Sequence, residues 1–263
     1  MQWRDEGIII GLRKYGETSV IVELMTRAHG RHFGLVRGGR GRRLSPVLQP
    51  GNSVEAVWRA RLDEQLGQYV IEAGRARAGR IMASAQALYG ITWLGAMLRC
   101  LPEREAHEGL FEALTLVADH LDAPELAPAL MVRFELEVLT NLGFSLDLSQ
   151  CASTGVRDDL LYVSPKSGRA VSRAAGLPYH DRLLALPGFL RGPDGRSAPA
   201  AGDVAAGFAL TGHFLARNIF EPRGEAGALA ARAAYLAEVA KAAALQRAAI
   251  MVQDGEAASW LTP

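Results

Sequence analysis

The sequence lacks several features that mark common classes of protein. It has only two cysteines, Cys100 and Cys151, which stand 51 positions apart, so it can build neither a disulfide framework nor a complete cysteine metal site. It contains no run of about 18 uncharged apolar residues, and its charged N-terminus lacks the apolar stretch of a signal peptide. From these absences we expect a cytoplasmic, soluble protein without a membrane span.

Familiar catalytic motifs are missing as well. The glycine-rich residues 38–42 lack the Gly-Lys-Ser/Thr ending of a phosphate loop, and they precede a proline-containing loop rather than a helix. The sequence has no Gly-x-Ser-x-Gly or His-Glu-x-x-His motif, and its six histidines are scattered. We therefore predict a protein that is not an enzyme and needs no cofactor, with an enzyme hidden in the helical part as an alternative.

A long stretch without negative charge is the most informative feature that the sequence does contain. Residues 24–54 include no Asp or Glu but six arginines and two histidines. Residues 1–80 carry 14 basic and 8 acidic residues, a net charge of +6, whereas the rest of the chain carries 15 and 20, a net charge of −5. Arginine presents a planar charged fork that suits phosphate, and glycine lets the backbone approach a polyanion. This asymmetry predicts a basic nucleic-acid-binding module joined to an acidic body.

The candidate contacts to nucleic acid centre on residues 37–43, where arginine and glycine are densest. Neighbouring cations extend the predicted surface, although surface solubility explains Arg13 and Lys14 equally well. The full predicted set is Arg13, Lys14, Arg27, Arg31, His32, Arg37, Arg40, Arg42, Arg43, Arg59 and Arg61. The aromatic residues that could stack on bases are Tyr15, Phe33, Trp58 and Tyr69, and in a small barrel such residues more often belong to the core. Because so few aromatic side chains are available for stacking, we expect contact with phosphates rather than recognition of base sequence.

The first 80 residues show the pattern of short strands separated by glycine-rich turns. Apolar and β-branched runs predict five strands, at residues 7–14, 18–26, 31–36, 53–59 and 68–73. Five short strands in so few residues favour a small closed barrel of the OB type, and an SH3-like barrel fits the pattern nearly as well.

Beyond residue 80 the pattern becomes helical. We predict helices over residues 81–101, 106–121 and 126–142, with Gly143 as a C-terminal cap, and helical segments again over 201–220 and 226–250. Two short runs around residues 165–168 predict a β-hairpin. The predicted fold class is therefore α+β with several domains. The N-terminal barrel covers residues 1–80, an α-helical domain covers 81–145 and 201–250, and a small hairpin insertion covers 146–200.

Two blocks of this sequence resemble the RecO family of recombination mediators. The first comprises residues 6–30, the basic residues 37–43 and the Leu-Gln-Pro-Gly of residues 48–51; the second comprises residues 133–144 and 147–151. The resemblance implies an OB barrel, a helical domain and a small insertion that often carries zinc. It also implies binding of single- and double-stranded DNA and annealing of complementary strands. The partners that it implies are the C-terminal tail of single-strand-binding protein, RecR and, indirectly, the recombinase that is loaded onto coated single strands.

The insertion departs from the zinc-bearing form of that family, which has two Cys-x-x-Cys pairs. Cys151 stands where the first pair begins, but its partner position is Thr154, and the second pair falls near Val171 and Ala174. A closed structural zinc site needs four nitrogen or sulfur ligands. We therefore predict a metal-free, degenerate zinc module, in which ligation by His180 and His213 is a weak alternative. The alternative function is that of an OB-fold RNA-binding protein of translation or ribosome assembly.

Overall fold

The N-terminal part of the chain forms a closed five-stranded barrel. The computed structural model describes residues 1–191, 198–200 and 202–259. The strands are β1 (Gln2–Tyr15), β2 (Ser19–Thr26), β3 (Gly30–Val36), β4 (Ser53–Arg59) and β5 (Gln68–Ala73). They pair in the order β1-β2-β3-β5-β4, and β1 also pairs with β4 to close the barrel. This order confirms the OB-type prediction and leaves the SH3-like alternative without support.

Strand β1 is longer than the sequence pattern predicts, because it pairs with two neighbours. Its first half pairs with β4, from Gln2 opposite Arg59 to Ile8 opposite Ser53. Its second half pairs with β2 as far as Tyr15 opposite Ser19. The polar residues at the start of β1 are therefore held in extended form by hydrogen bonds to β4 rather than by their own strand propensity.

The barrel interior follows from the alternation of apolar side chains along the strands. In β4, Val54, Ala56 and Trp58 are buried, whereas Arg59 is exposed. The indole N–H of Trp58 donates to the carbonyl of Leu66 at 3.1 Å, so this large side chain is buried without losing its polar partner. Burial of each such apolar side chain contributes roughly 1.5–3 kcal/mol to folding.

Four helices follow the barrel: α1 (Ala78–Met82), α2 (Ala85–Leu98), α3 (Glu108–His120) and α4 (Ala127–Asn141). The single helix predicted over residues 81–101 is wrong, since α1 and α2 are separate. Ser84 begins α2 as an extended N-cap, and its hydroxyl accepts a hydrogen bond from the N–H of Ala87 at 3.2 Å. Such a cap favours a new helix start over continuation of the preceding one.

The end of α4 confirms the predicted glycine cap. Gly143 has a φ of +85°, a left-handed conformation that glycine adopts without steric cost. Its N–H bonds to the carbonyl of Thr140, and the N–H of Phe144 bonds to the carbonyl of Leu139. These two bonds form a Schellman motif, which satisfies the last carbonyls of the helix and fixes the position of Phe144.

The insertion contains the predicted hairpin and one further strand. Strands β6 (Leu160–Val163) and β7 (Ala170–Ser172) flank the loop of residues 164–169, and β8 (Leu184–Ala185) adds to the other side of β6. A short helix, α5 (Arg173–Gly176), and two 3-10 turns complete it. The glycine- and proline-rich residues 191–196 predict a loop, most of which lies outside the described residues.

The helical pattern resumes with α6 (Asp203–Leu215), which runs into a π-helical turn at Ala216–Phe220 and is followed by α7 (Leu229–Ser259). One continuous apolar core joins the helices to the insertion, and Ile8, Ile10 and Met25 of the barrel also pack against it. The division of the chain at residues 80, 145 and 200 stays a prediction. None of the helices in the described part of the chain is long and apolar enough to span a membrane.

Candidate nucleic-acid interface

The arginine-rich loop between β3 and β4 is built as a chain of tight turns. Backbone hydrogen bonds join Gly41 to Gly38 and then Leu44 and Ser45 to Gly41. Gly39 lies so close to Val20 that a Cβ atom would stand 2.5 Å from its methyl group. Leu44 and the buried Leu48 anchor the end of the loop in the barrel core. The local sequence therefore holds the loop against the barrel and directs its long polar side chains outward.

The four arginines of this loop are all exposed: Arg37, Arg40, Arg42 and Arg43. Arg40 donates to the carbonyl of Glu17 at 2.5 Å, and its own N–H bonds to Thr18, so this residue connects the loop to the β1–β2 turn. Within the described residues, the guanidinium groups of the other three have no ion-pair partner. Their positive charges are therefore available to an external anion.

A groove brings two of these arginines together with Arg59 of β4. We call it the arginine groove. It has a volume of about 500 Å³ and lies between the loop and strands β4 and β5. Its lining residues are Val36, Arg37, Arg43, Leu44, Arg59, Ala60, Gln68, Tyr69, Val70 and Ile71. Val70 is 55% exposed, so the groove combines exposed aliphatic surface with three cations, which suits a sugar-phosphate backbone.

Three further predicted residues lie on the exposed surface near this loop. Arg13 and Lys14 are exposed at the end of β1, and Lys14 pairs with Val20, which in turn pairs with Val36 beside the loop. Arg61 is exposed on the β4–β5 connection but does not line the arginine groove. Arg13 and Lys14 therefore add exposed positive charge on the strands beside the loop.

Arg27 has a different environment, between the barrel and α3. It makes ion pairs with Glu6, Glu108 and Glu112 at 3.3–3.6 Å, and its guanidinium lies 4.7 Å from the centre of the Phe111 ring. Burial lowers the pKa of Arg27, but the hydrogen bonds and charges of Glu112 and Glu6 outweigh it and raise that pKa. Since three carboxylates already surround it, Arg27 ties the barrel to α3 rather than presenting a free charge.

The prediction that Arg31 and His32 contact nucleic acid needs correction, because both residues are buried. Arg31 makes an ion pair with the buried carboxylate of Glu23 at 3.0 Å and donates to the carbonyl of Leu101. Burial lowers the pKa of His32 to about 4, against the opposing effect of its hydrogen bond to the Phe33 carbonyl. His32 is therefore neutral at neutral pH and has no charge to offer a phosphate.

Sequence reasoning missed Arg99, which shares Glu23 with Arg31. The Nε of Arg99, at the end of α2, lies 2.9 Å from the second oxygen of that carboxylate. The two arginines, with Arg13 and Phe33, line a second groove of about 330 Å³ on strands β1–β3. Glu23, together with Glu103 at 3.5 Å from Arg31, balances these two guanidinium groups, and Arg13 is the lining cation that has no ion pair among the described residues. No local signal identifies Arg99, since the contact joins residues 76 positions apart.

Four other arginines of the basic N-terminal part also make ion pairs, and the first of them, Arg4, pairs with Glu55 and Glu72. Arg77 is buried and donates to Asp119 at 2.5 Å and to the Ser53 hydroxyl at 2.7 Å. Arg75 pairs with the same aspartate, and Arg80 pairs with Asp122. The net charge of the first 80 residues therefore overstates the charge that the surface presents.

The candidate aromatics divide between the core and the surface. Trp58 and Tyr69 are buried in the barrel, Phe33 is half-buried, and Tyr15 is 55% exposed at the β1–β2 turn. The prediction did not include Trp3, which is half-buried and stacks on His29 with ring centroids 4.2 Å apart. The arginine groove is therefore lined mainly by charge and aliphatic surface, which favours contact with the backbone rather than with bases.

The described residues of the insertion do not form a zinc site. Cys151 is buried, and its sulfur accepts a hydrogen bond from the Ser172 N–H at 3.3 Å. His180 and His213 are hydrogen-bonded to the carbonyls of Leu177 and Pro165. Among the residues that the structure describes, no three His, Cys, Asp or Glu side chains are grouped so that they could hold a metal ion.

Comparisons with known proteins match nearly the whole chain. The family model described as "Recombination protein O N terminal" matches residues 1–88, and that described as "Recombination protein O C terminal" matches residues 83–226. The DNA repair protein RecO of Methylocella silvestris is 59% identical over 241 residues, which cover 92% of this chain and 97% of that protein. The DNA repair protein RecO of Mesorhizobium japonicum is 58% identical over 249 residues, which cover 94% and 97%. That of Rhizobium etli is 57% identical over 242 residues, which cover 92% and 94%.

Proposed function

Because the chain belongs to the RecO family of DNA repair proteins, we propose that it binds single- and double-stranded DNA through its barrel and anneals complementary strands. The observation that supports this most strongly is the arginine groove. It places Arg37, Arg43 and Arg59 around one channel, and in the described structure no carboxylate pairs with any of the three.

Annealing of this kind needs electrostatic screening but no covalent step. Two single strands repel each other through their phosphates, and cations fixed near both backbones reduce that repulsion. The arginine groove supplies such cations, and the exposed Arg13, Lys14, Arg40 and Arg42 supply more on the barrel surface. Since phosphate contacts carry no information on base sequence, such binding would be independent of the DNA sequence. We therefore propose that the protein acts through binding alone, as a non-enzymatic mediator.

The partners follow from the family rather than from a surface that the structure identifies. We propose that the protein engages the C-terminal tail of single-strand-binding protein and RecR, and that together they load recombinase onto coated single strands in the cytoplasm. We place such docking surfaces on residues 81–263, which carry a net charge of −5. The names of the relatives favour this role over RNA binding in translation or ribosome assembly.

The test is fluorescence annealing of complementary oligonucleotides by the triple variant R37A/R42A/R43A. These arginines have no acidic partner in the described part of the chain, so their removal leaves no carboxylate without an ion pair. We expect annealing to fall at least about tenfold, because each lost phosphate contact weakens binding. Arg40 is retained, since it supports the β1–β2 turn.

The control is the triple variant R157A/R173A/R182A, which removes the same charge from exposed positions of the insertion, although Arg173 and Arg182 also lose exposed ion pairs with Asp159 and Asp181. It should anneal like the wild type, and circular dichroism should show both variants folded. Equal losses in both triples would mean that net charge alone matters. If R37A/R42A/R43A anneals like the wild type, the DNA site lies elsewhere. If the wild-type protein prefers structured RNA to single-stranded DNA and does not anneal strands, the repair function is rejected.

A further inference from the structure

A small polar pocket lies at the tip of the insertion hairpin, apart from the barrel. We call it the hairpin pocket. It has a volume of about 140 Å³ and forms where the end of α4, the β6–β7 loop and the π-helical turn after α6 meet. Its lining residues are Phe144, Ser145, Leu146, Lys166, Ser167, Gly168, Phe214, Arg217 and Asn218. It shares no residue with the arginine groove.

The two cations that line the pocket, Lys166 and Arg217, come from distant parts of the chain. Arg217 donates to the carbonyl of Pro165 at 2.5 Å, and His213 is hydrogen-bonded to the same oxygen at 3.1 Å. These bonds fix the β6–β7 loop and place Lys166, the next residue in the loop, on the same pocket as the arginine. Lys166 is exposed, and its ammonium group has no ion-pair partner among the described residues.

Arg217 and Asn218, which both line the pocket, lie in the π-helical turn. The N–H of Glu221 bonds to the carbonyl of Ala216, five residues earlier. This wider turn changes the angles at which successive side chains leave the helix. In a regular helix, neighbouring residues point about 100° apart, whereas here both residues line one small pocket.

The remaining polar groups of the pocket are neutral. The side chains of Ser145, Ser167 and Asn218 make no protein hydrogen bond within the described structure, and no acidic residue is among the lining residues. Phe144 is 40% exposed at the pocket edge, and the Schellman motif of α4 holds its backbone in place. The pocket thus combines two positive charges, three free hydrogen-bonding groups and one exposed aromatic ring.

We propose that the hairpin pocket holds one backbone phosphate of a single-stranded nucleic acid, with a neighbouring base stacked on Phe144. This inference rests on the proposed function, since it assigns a second contact for the same class of ligand. A tetrahedral phosphate uses many donors at once, as the five polar side chains here provide. An exposed aromatic ring beside a cationic site is the arrangement by which proteins hold single strands without reading their sequence. The contact would let one strand extend beyond the barrel onto the insertion.

The first experiment measures binding of a fluorescent oligothymidylate at several salt concentrations by the full chain and by K166A. The matched control is K241A, which removes an exposed lysine from α7, remote in sequence from the pocket residues. Loss of one phosphate contact should lower the salt slope of log K by about 0.7 in K166A but not in K241A. F144A should weaken binding at least about fivefold at constant slope, because stacking carries no charge. F144L tests whether an apolar side chain alone suffices.

The second experiment locates the contact by ultraviolet cross-linking to an oligonucleotide that contains 5-iodouracil, followed by mass spectrometry. We expect cross-linked peptides that contain Phe144, and their loss in K166A. Cross-links confined to barrel peptides, with K166A binding like K241A, would overturn the inference and leave the proposed function intact. A wild-type protein that binds no oligonucleotide would reject both. If a peptide with a free C-terminal carboxylate occupies the pocket and no cross-link to DNA forms there, the pocket binds protein and the inference is wrong.

Discussion

The substitutions Arg59→Ala and Arg61→Ala offer a close test of the arginine groove. The two residues differ by two positions, carry the same charge and are both exposed. Only Arg59 lines the groove, where it lies with Arg37 and Arg43 around the exposed Val70. A mechanism that depends on this geometry must therefore distinguish them, whereas one that depends on net charge cannot.

The expected size of the effect follows from a single phosphate contact. Removal of one such contact lowers the salt slope for a single strand by about 0.7, and for a duplex by about 0.9. Between about 50 and 200 mM salt, a slope change of about 0.7 alters the ratio of wild-type to variant affinity about 2.6-fold. A charge-assisted contact at an exposed site contributes about 1 kcal/mol after solvent screening. R59A should thus bind about fivefold more weakly at low salt.

Fluorescence anisotropy of a labelled oligothymidylate, titrated at four salt concentrations, measures both quantities. R61A should keep the wild-type slope and bind within about twofold of the wild type. Thermal unfolding of both variants serves as the control, since neither residue has an internal partner to lose among the described residues. Equal slope changes in R59A and R61A would refute the role of the groove, and no change in either would move the site away from β4.

Three further predictions concern buried groups. Arg31→Ala should lower the unfolding free energy, measured by denaturant titration, by about 2–3 kcal/mol, because among the described residues Glu23 then keeps only Arg99 as an ion-pair partner. The variant should bind DNA with the wild-type salt slope, and a lower slope would show that Arg31 belongs to the DNA interface. Burial lowers the pKa of His32 from 6.5 to about 4, so between these pH values the unfolded chain binds more protons than the folded protein. The unfolding free energy should therefore fall by up to about 3 kcal/mol as the pH drops from about 6.5 to about 4. His32→Gln should not show this fall, and identical pH profiles of the variant and the wild type would contradict the prediction. Arg232→Met should lower the unfolding free energy by about 3–5 kcal/mol, because the buried carboxylate of Glu135 loses its ion pair. The second substitution Glu135→Gln should recover part of that stability. If it recovers none, the loss comes from packing and not from an unpaired charge.

The features that were predictable from the sequence are those that depend on neighbouring residues. Alternation of apolar side chains located β4 and β5 at their observed bounds, because a strand buries every second residue. Gly143 marked the end of α4, because a helix often closes with a left-handed residue. The Arg/Gly run predicted a cationic segment at the surface, because each guanidinium keeps its charge and stays in water or on an anion. The interior break at Ser84 was missed, since the apolar pattern of α2 continues across it.

The sequence by itself determined that a basic barrel precedes a helical body and that residues 37–43 carry exposed charge. The tertiary structure alone decided which cations are free. Arg31 and Arg37 look alike in the sequence, yet Arg31 meets Glu23 in the barrel wall while Arg37 faces solvent. The hairpin pocket likewise exists only in the fold, because Lys166 and Arg217 are 51 residues apart along the chain. Whether a charge is neutralised depends on the distance to the opposite charge, and that distance is set by packing between segments remote in sequence.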